Sequence, residues 1–212
     1  MTRAQRAAIR DNWSTFGLDS GECLDLNAVF GRRARRVLEI GFGNGETLVD
    51  LARRHPERDY LGIDVYEPGI GRLLAAAAQA ELTNLRVLRG DASQLLRSSI
   101  APASLETILL LFPDPWPKKR HHKRRLVQSG FVELLAGRLE PGGIVHLATD
   151  WQNYAEHMLA VLEAEPLLEN AAGPGNFYDA ADERPVTKFE RRGTHLGHVI
   201  RDLRFRRRSE RG

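Results

Sequence analysis

Short apolar runs alternate along this chain with longer stretches in which apolar residues recur at helical spacing. The first run covers residues 36–40 and leads into a glycine-rich segment at 41–45. Leucine and alanine then recur through residues 46–54 until Pro56, a spacing typical of an amphipathic helix. The pattern predicts a strand, a glycine turn and a helix, in that order.

The same alternation continues toward the carboxyl terminus. Further strands are predicted at 60–65, 85–91, 105–112 and 144–148, and helices at 72–81, 124–139 and 154–164. Residues 198–205 alternate like a last strand, whose antiparallel orientation stays open. Strands separated by helices form right-handed crossover units, which build a parallel sheet covered on both faces. The predicted fold class is therefore α/β, with a doubly wound, mostly parallel sheet.

Length and composition favour a single folded domain. The 212 residues are 42% hydrophobic and 28% charged, which is ordinary for a globular protein and too apolar for a disordered one. No internal repeat or low-complexity linker divides the sequence. We expect one domain over 31–212, preceded by a partly flexible amino-terminal segment at 1–30.

Charge and cysteine content exclude several classes of protein. The 31 Lys and Arg residues exceed the 28 Asp and Glu residues by three, which permits a polyanionic partner without requiring one. The single cysteine, Cys23, can form neither an internal disulfide nor a Cys-rich zinc site, which suits a reducing cytoplasm. The longest apolar runs, at 73–78 and 108–112, are too short to span a membrane, and no signal peptide is recognisable.

The glycine turn after the first predicted strand is the expected ligand site of a doubly wound sheet. Its glycines are Gly41, Gly43 and Gly45, and Glu46 stands where a dinucleotide fingerprint requires Gly or Ala. Glu39 precedes the first glycine by two residues. A carboxylate at this place would repel a pyrophosphate and attract a sulfonium or ammonium group. The pattern therefore favours S-adenosylmethionine as the ligand.

Two further acidic residues follow the next predicted strands. Asp64 ends the second strand, where a carboxylate can accept hydrogen bonds from both ribose hydroxyls. Asp91 ends the third and is placed to accept from an adenine amino group. Carboxylates at three consecutive strand ends are a more specific signal than any one of them. The alternative is that the glycines serve only tight packing of the turn and that the three carboxylates are solvated residues at strand ends, without a ligand.

A proline-rich segment follows the fourth predicted strand. Pro113, Pro115 and Pro117 restrict the backbone at three of five positions, so Asp114 and Trp116 are held in a nearly fixed orientation. An aspartate can accept the N1 and N2 hydrogens of guanine, and an indole can stack on a base. This rigidity predicts that the segment binds the acceptor substrate.

A dense basic run comes directly after the prolines. Six of the eight residues at 118–125 are Lys or Arg, and the other two are His121 and His122. Such density suits a phosphate backbone, while a solvated helix start is the alternative. Acidic or cysteine partners at metal-ligand spacing are missing around the two histidines, so phosphate contact or solvation is favoured over metal binding.

The carboxyl-terminal third adds candidates at the same edge of the sheet. Asp150 ends the fifth predicted strand, and residues 184–193 are predicted to form a charged loop with one aromatic residue. Further basic stripes occupy 32–36 and 201–211. Several basic regions fit a large polyanion better than a small metabolite.

Together these residues closely resemble the bacterial tRNA (guanine-N7)-methyltransferases. The matching segments are 38–45, 62–65, 112–125 and 187–190, and the similarity covers nearly the whole chain. The proline-tryptophan-basic stretch and the Thr-Lys-Phe-Glu segment are specific to that family, whereas many methyltransferases share the glycine turn. The resemblance implies a class I fold with a seven-stranded sheet, S-adenosylmethionine as the methyl donor without a metal, and a guanosine in the variable loop of tRNA as acceptor.

The resemblance also implies roles for individual residues. The cofactor-binding residues are Glu39, Gly41, Gly43, Gly45, Asp64, Asp91 and Asp114, of which Asp114 is also the catalytic residue. The substrate-binding residues are Lys118, Asp150, Thr187, Lys188, Phe189 and Glu190. The RNA-contacting residues are Arg120, His121, His122, Lys123, Arg124 and Arg125. Many members have Glu where Asp64 stands, which shortens the reach to the ribose, and the short amino terminus implies that an RNA-contacting arm is absent or disordered.

Three other functions compete with this interpretation. The first is a methyltransferase acting on an exocyclic nitrogen, because the proline-clamped aspartate could accept hydrogens from an amine. The second is an inactive RNA-binding subunit. The third is a nicotinamide oxidoreductase, but this sequence lacks the third glycine of the dinucleotide-binding fingerprint. A cytoplasmic monomer or homodimer, without an obligate protein partner or membrane contact, is expected.

Overall fold

The computed structural model describes residues 1–19, 21–180 and 188–209, and within these residues eight strands form one sheet. The strands are β1 Gly17–Leu18, β2 Arg35–Ile40, β3 Arg58–Asp64, β4 Leu85–Arg89, β5 Leu105–Leu111, β6 Leu139–Thr149, β7 Leu168–Asn170 and β8 Arg201–Arg207. The helices are α1 Arg3–Phe16, α2 Leu26–Phe30, α3 Glu46–Arg54, α4 Glu67–Gln79, α5 Ala92–Ser98, α6 Ser129–Arg138, α7 Gln152–Glu163 and α8 Lys188–His195, with a 3-10 helix at Lys119–Arg124.

The strand order places a switch in winding direction beside the central strand. The order is β1-β4-β3-β2-β5-β6-β8-β7, so the chain winds outward from β2 through β3 to β4 and then returns to place β5 on the other side of β2. The pairs among β1 to β6 are parallel, and β8 runs antiparallel to both β6 and β7. Ligands of such sheets bind outside the carboxyl ends of the strands at this switch.

This architecture confirms the predicted doubly wound α/β class and makes the last strand antiparallel. The seven-stranded expectation differs by one, because Gly17 and Leu18 pair in parallel with Val87 and Leu88 at the sheet edge. Helix α4 begins at Glu67, five residues before the predicted start, with Pro68 in its first turn. Gly69 and Gly71 interrupt the apolar spacing in the first half of this helix, so the sequence pattern did not indicate where it begins.

Two further predictions about local structure are wrong. The helix predicted at 124–139 starts only at Ser129. A 3-10 helix ends at Arg124, and the backbone is extended at Arg125 and at Gln128, the residue before α6. Residues 188–193 of the predicted loop instead belong to α8, Lys188–His195. In both places charged residues predominate, so the apolar period that marks a helix boundary is weak.

The period of two along the strands divides the core between the two faces of the sheet. In β2, Val37 packs with α3 and α4 residues such as Leu48 and Leu73. The next residue, Leu38, packs on the other face, with α5, α6 and α7 residues such as Leu135. Both faces are thus buried around the central strands, which holds their carboxyl ends in a fixed arrangement. Across the described ranges, no helix has the length and apolar character needed to cross a lipid bilayer.

Helix α1 packs on α4 through a contact that leaves no space for a side chain. A capping box between Thr2 and Gln5 starts α1. A Cβ atom added at Gly71 of α4 would lie 2.7 Å from the Gln5 carbonyl oxygen. The amino-terminal helix therefore contacts the folded domain through backbone-to-backbone packing at this point.

Replacing Gly71 with Ala should force α1 away from α4 and lower the free energy of unfolding by about 1–3 kcal/mol. The matched control is Gly137→Ala in α6, where an added Cβ meets no atom within 4 Å. That variant should gain up to about 0.5–1 kcal/mol through better helix propensity. Urea unfolding measures both changes, and shifts of the same sign would contradict the packing described here.

Candidate active site

The glycine turn between β2 and α3 adopts a backbone that requires glycine. Gly41, Gly43 and Gly45 have φ angles of 71°, 57° and 75°, in the left-handed region that other residues rarely adopt. The turn also packs directly against the first turn of α4, because a Cβ added at Gly69 would lie 1.8 Å from the Gly43 carbonyl oxygen. The loop is therefore free of side chains at these positions and is held close to α4.

Asp64 connects this turn to the end of β3. Its Oδ2 accepts a hydrogen bond from the Gly43 amide at 2.8 Å, and its Oδ1 accepts one from the Tyr66 amide at 2.9 Å. The side chain is 9% exposed. Asp64 therefore shapes the backbone of the site, a task that its position at a strand end alone did not indicate. Each carboxylate oxygen has a second lone pair for a ligand.

Glu39 is a buried carboxyl group beside Asp64. It is 3% exposed, and its Oε2 atom has no hydrogen-bond partner. Burial raises the pKa of Glu39 to about 8, and the negative charge of Asp64 adds to this effect. Two neighbouring carboxyl groups, one of them incompletely bonded, form a place where a bound positive charge would be stabilised.

Asp91 completes the acidic edge that the sequence predicts. It caps α5, and its Oδ1 accepts from the Gln94 amide at 2.9 Å while the side chain stays exposed. Glu39, Asp64 and Asp91 lie within two residues of the carboxyl ends of β2, β3 and β4, which are adjacent in the sheet. The fold therefore brings all three acids to one edge.

The proline-rich segment leaves β5 at the same edge in a strained conformation. Phe112 and Trp116 have φ angles of 54° and 44°. For a residue other than glycine, such a conformation costs about 1–3 kcal/mol. The Phe112 amide donates to the Ala148 carbonyl oxygen at 2.8 Å, which holds the start of the segment against β6. Asp114 lies exposed between the two strained residues. Strain of this kind is typical of functional loops.

Trp116 is the centre of a small cluster of aromatic and cationic side chains. The Arg124 guanidinium lies 5.0 Å from the indole centroid, and the His121 ring contacts it edge-on at 5.9 Å. Lys118, Lys119, Arg120, Lys123 and Arg124 are exposed, and His121 and His122 are half-buried. An aromatic plane next to exposed cations can bind a base and its phosphates together.

Arg125 differs from the other members of this run because it faces the protein interior. It is 3% exposed, and its guanidinium donates to the Pro115 carbonyl oxygen at 3.0 Å and to Asn153 Oδ1 at 2.8 Å. The resemblance assigns it to RNA contact, but this side chain is not available at the surface.

Asp150 and α8 close the other end of the site. Asp150 Oδ2 lies 2.9 Å from His198 Nδ1, and a Cβ added at Gly193 would lie 3.0 Å from the same oxygen. Arg191 of α8 forms an ion pair at 3.6 Å with Glu46, the first residue of α3. Helix α8 thus contacts both the glycine-turn side and the β6 side of the ligand edge.

The predicted substrate segment lies at the start of this helix. Lys188, Phe189 and Glu190 form the first turn of α8, and Glu190 is half-buried. Thr187 lies outside the described residues. Among the residues that are described, no three His, Cys, Asp or Glu side chains come together as a metal-binding group.

Fold and sequence comparisons agree on the class of this protein. A family profile described as putative methyltransferase matches residues 33–203. The crystal structure of the 16S rRNA methyltransferase KamB superposes with a TM-score of 0.65 at 17% identity, over 92% of this chain and 99% of that one. TrmN from Thermus thermophilus superposes with a TM-score of 0.58 at 20% identity, over 96% of this chain and 48% of that one. The chain therefore belongs to a methyltransferase family and has a fold that known methyltransferases share.

Relatives of known name identify the family more narrowly. A tRNA (guanine-N(7)-)-methyltransferase of Leifsonia xyli subsp. xyli is 56% identical over 206 residues, which is 97% of this chain and 91% of the relative. One from Thiobacillus denitrificans is 59% identical over 187 residues, 88% of this chain and 82% of the relative. The chain belongs to the tRNA (guanine-N7)-methyltransferase family, which confirms the resemblance seen in its motifs.

The buried Glu39 should make the stability of the protein depend on pH. Because its pKa rises from the usual 4.5 to about 8 on folding, its contribution is complete below pH 4.5 and is lost as the pH rises through 8. Glu39→Gln should remove this loss, and at pH 9 should unfold at a higher temperature than wild type. The difference in the free energy of unfolding between the two proteins at pH 9 should reach several kcal/mol, since a change of one pKa unit corresponds to about 1.4 kcal/mol.

Thermal unfolding across pH 5 to 9 measures this effect. Glu133→Gln, which changes an exposed carboxylate on α6, should follow the wild-type profile. Parallel profiles for wild type and Glu39→Gln would contradict the proposed burial cost.

Proposed function

We propose that this chain transfers a methyl group from S-adenosylmethionine to N7 of a guanosine in the variable loop of tRNA, which yields 7-methylguanosine. The observation that carries the proposal is the arrangement at one sheet edge of a buried, incompletely bonded carboxyl group, Glu39, and an exposed carboxylate, Asp114, on a strained loop. Membership in the family supports tRNA as the acceptor. The cytoplasmic location predicted from the cysteine content stays a prediction.

The acidic edge fits the charge of the proposed donor. Glu39 Oε2 is buried without a partner next to the Asp64 carboxylate, so a cationic group would complete it, whereas a phosphate would be repelled. Glu39, Asp64 and Asp91 would hold the donor together with the backbone of the glycine turn. When bound, S-adenosylmethionine would supply a methyl group from its positively charged sulfur and would leave as the neutral thioether S-adenosylhomocysteine. The N7 lone pair of guanine can accept that methyl group without losing a proton.

Asp114 is the proposed catalytic residue because of its charge and its fixed position. Its carboxylate can accept hydrogen bonds from N1 and N2 of guanine, which orients the N7 edge of the ring. The ring gains positive charge during the reaction, and a carboxylate near it stabilises that charge. Trp116 offers a plane on which the base can stack. No general base is needed, so positioning supplies most of the catalysis, on the order of 7–11 kcal/mol at best.

The exposed cations after the loop form the proposed tRNA surface. Arg124 lies over Trp116, and Lys118, Lys119, Arg120 and Lys123 are exposed in the same short segment, so phosphates bound there would lie near the proposed base site. Helix α8 meets the same edge through Glu46 and Asp150. Its first turn, with Thr187 before it, is the proposed substrate-binding segment.

Asp114→Asn should reduce methylation of unmodified tRNA by about 10²–10³-fold, because the charge that stabilises the transition state is lost while the shape remains. Donor affinity should change by less than about twofold, because the proposed donor contacts of Glu39, Asp64, Asp91 and the glycine turn are retained. The assay uses labelled S-adenosylmethionine followed by digestion and identification of the nucleoside. Asp11→Asn, on the exposed face of α1, should retain wild-type turnover. Wild-type turnover in Asp114→Asn, or methylation of an exocyclic amino group, would refute the proposal.

Binding of tRNA should weaken with salt, and the basic run should account for part of that dependence. Lys119→Ala and Lys123→Ala should each reduce the slope of log K against log salt by about 0.7–0.9, since each loses one phosphate contact. Arg97→Ala, in the last turn of α5, is the control and should leave the slope unchanged. Filter binding at several salt concentrations measures the slopes. An equal reduction in the control would place the RNA surface elsewhere.

A further inference from the structure

We infer that Arg125 and Asn153 form a clamp that holds the Asp114 loop in its reactive shape, so that both are positioning residues for methyl transfer. This inference rests on the proposed function and changes the assignment of Arg125, which the resemblance placed among the RNA contacts. It also gives a task to Asn153, for which the sequence carries no motif. The clamp is an internal element of the substrate loop, because Arg125 is only 3% exposed.

The contacts of Arg125 converge on the backbone between the two functional side chains of the loop. Its Nε donates to the carbonyl oxygen of Pro115, the residue between Asp114 and Trp116, at 3.0 Å. Its Nη2 donates to Asn153 Oδ1 at 2.8 Å, which ties the guanidinium to the first turn of α7. One side chain therefore connects the loop to a helix of the core.

The burial of Arg125 shows that these contacts hold a charge inside the protein. The residue is 3% exposed, and burial lowers the pKa of its guanidinium. The guanidinium lies 4.7 Å from the ring centroid of Tyr154, which is itself fully buried. A buried cation needs such partners because desolvation otherwise disfavours it. The planar guanidinium can serve the carbonyl, the amide and the ring at once, which a lysine cannot.

The chain beyond the clamp is held by the same helix. The Tyr154 hydroxyl accepts from the Val127 amide at 3.3 Å, and His157 Nε2 donates to the Val127 carbonyl oxygen at 2.8 Å. Burial raises the pKa of Tyr154, and the charge of Asp114 adds a smaller contribution in the same direction, so the proposed catalytic carboxylate lies within electrostatic reach of this group. Helix α7 therefore holds the segment from Pro115 to Val127 as one unit.

The strain in the loop explains why a clamp is needed. Phe112 and Trp116 flank Asp114 in left-handed conformations that persist only where surrounding contacts hold them. Without the bond to Pro115, the loop could relax and move Asp114 away from the base. A displacement of about 1 Å in a positioned group can reduce turnover by 10²-fold.

The test compares Arg125→Lys, Asn153→Ala and Asn153→Asp with the control Arg138→Lys. Arg138 on α6 is half-buried, and like Arg125 it donates to a backbone carbonyl oxygen, here that of Leu96 at 2.7 Å. We expect Arg125→Lys to lower kcat about 10²-fold and Asn153→Ala about 10-fold. The KM for tRNA and the donor Kd should each stay within about twofold. Asn153→Asp keeps an acceptor for the guanidinium and should restore most of kcat.

Fluorine NMR of 5-fluorotryptophan-labelled protein reports the loop independently of activity. The protein has three tryptophans, Trp13, Trp116 and Trp151. Arg125→Lys should shift or broaden the Trp116 resonance, assigned with Trp116→Phe, and leave Trp13 unchanged. Arg138→Lys should leave both resonances and kcat unchanged.

Several results would overturn the clamp. One is wild-type kcat and an unchanged Trp116 resonance in Arg125→Lys. A second is a loss confined to the KM for tRNA, which would make Arg125 an RNA contact. A third is an Asn153→Asp variant as impaired as Asn153→Ala. If wild-type protein forms no 7-methylguanosine, the proposed function fails, and the Trp116 resonance still decides whether Arg125 holds the loop.

Discussion

The site depends on a carboxyl group that folding buries without completing its hydrogen bonds. Glu39 lies next to Asp64, and both the loss of water and the nearby negative charge make its ionised form unfavourable, which is why its pKa rises to about 8. Asp64 is itself held by backbone amides of the glycine turn and of the turn before α4. The fold therefore maintains a destabilised acidic pair at the end of its central strands, and a cationic ligand would relieve that cost.

The order of the strands brings this acidic pair together with the acceptor loop. Because β5 adjoins β2 on the side opposite β3, the glycine turn and the loop after β5 leave the sheet at neighbouring points of the same edge. The Phe112 amide and the Arg125 guanidinium then fix the loop to β6 and to the start of α7. Helix α8 contacts this edge through Glu46 and Asp150. The proposed donor site, base site and basic surface are thus held by one set of adjacent strands and helices.

The elements that the sequence predicted well are those with a strong apolar period. The helix predicted at 46–54 agrees with α3 at both ends, and the five central strands all lie where apolar runs occur. Strand β1 has two residues, too few to show any apolar period. It follows α1 directly and pairs with β4 at the edge of the sheet. Helix α8 is highly charged, so its start and end left no apolar signal.

The amino-acid sequence by itself determined the chemistry of the site, because glycines, prolines and carboxylates carry their conformational limits and charges wherever they are placed. The acids after three strands, the rigid Asp114 loop and the cationic run could therefore be recognised directly. Only the tertiary structure decided which members of that run are exposed at the surface. Arg124 and Arg125 are adjacent and identical, yet one is exposed over Trp116 and the other is buried against Tyr154. The burial and hydrogen bonds of Arg125 depend on residues of α7, which are distant in the sequence, so the residues next to Arg125 could not indicate them.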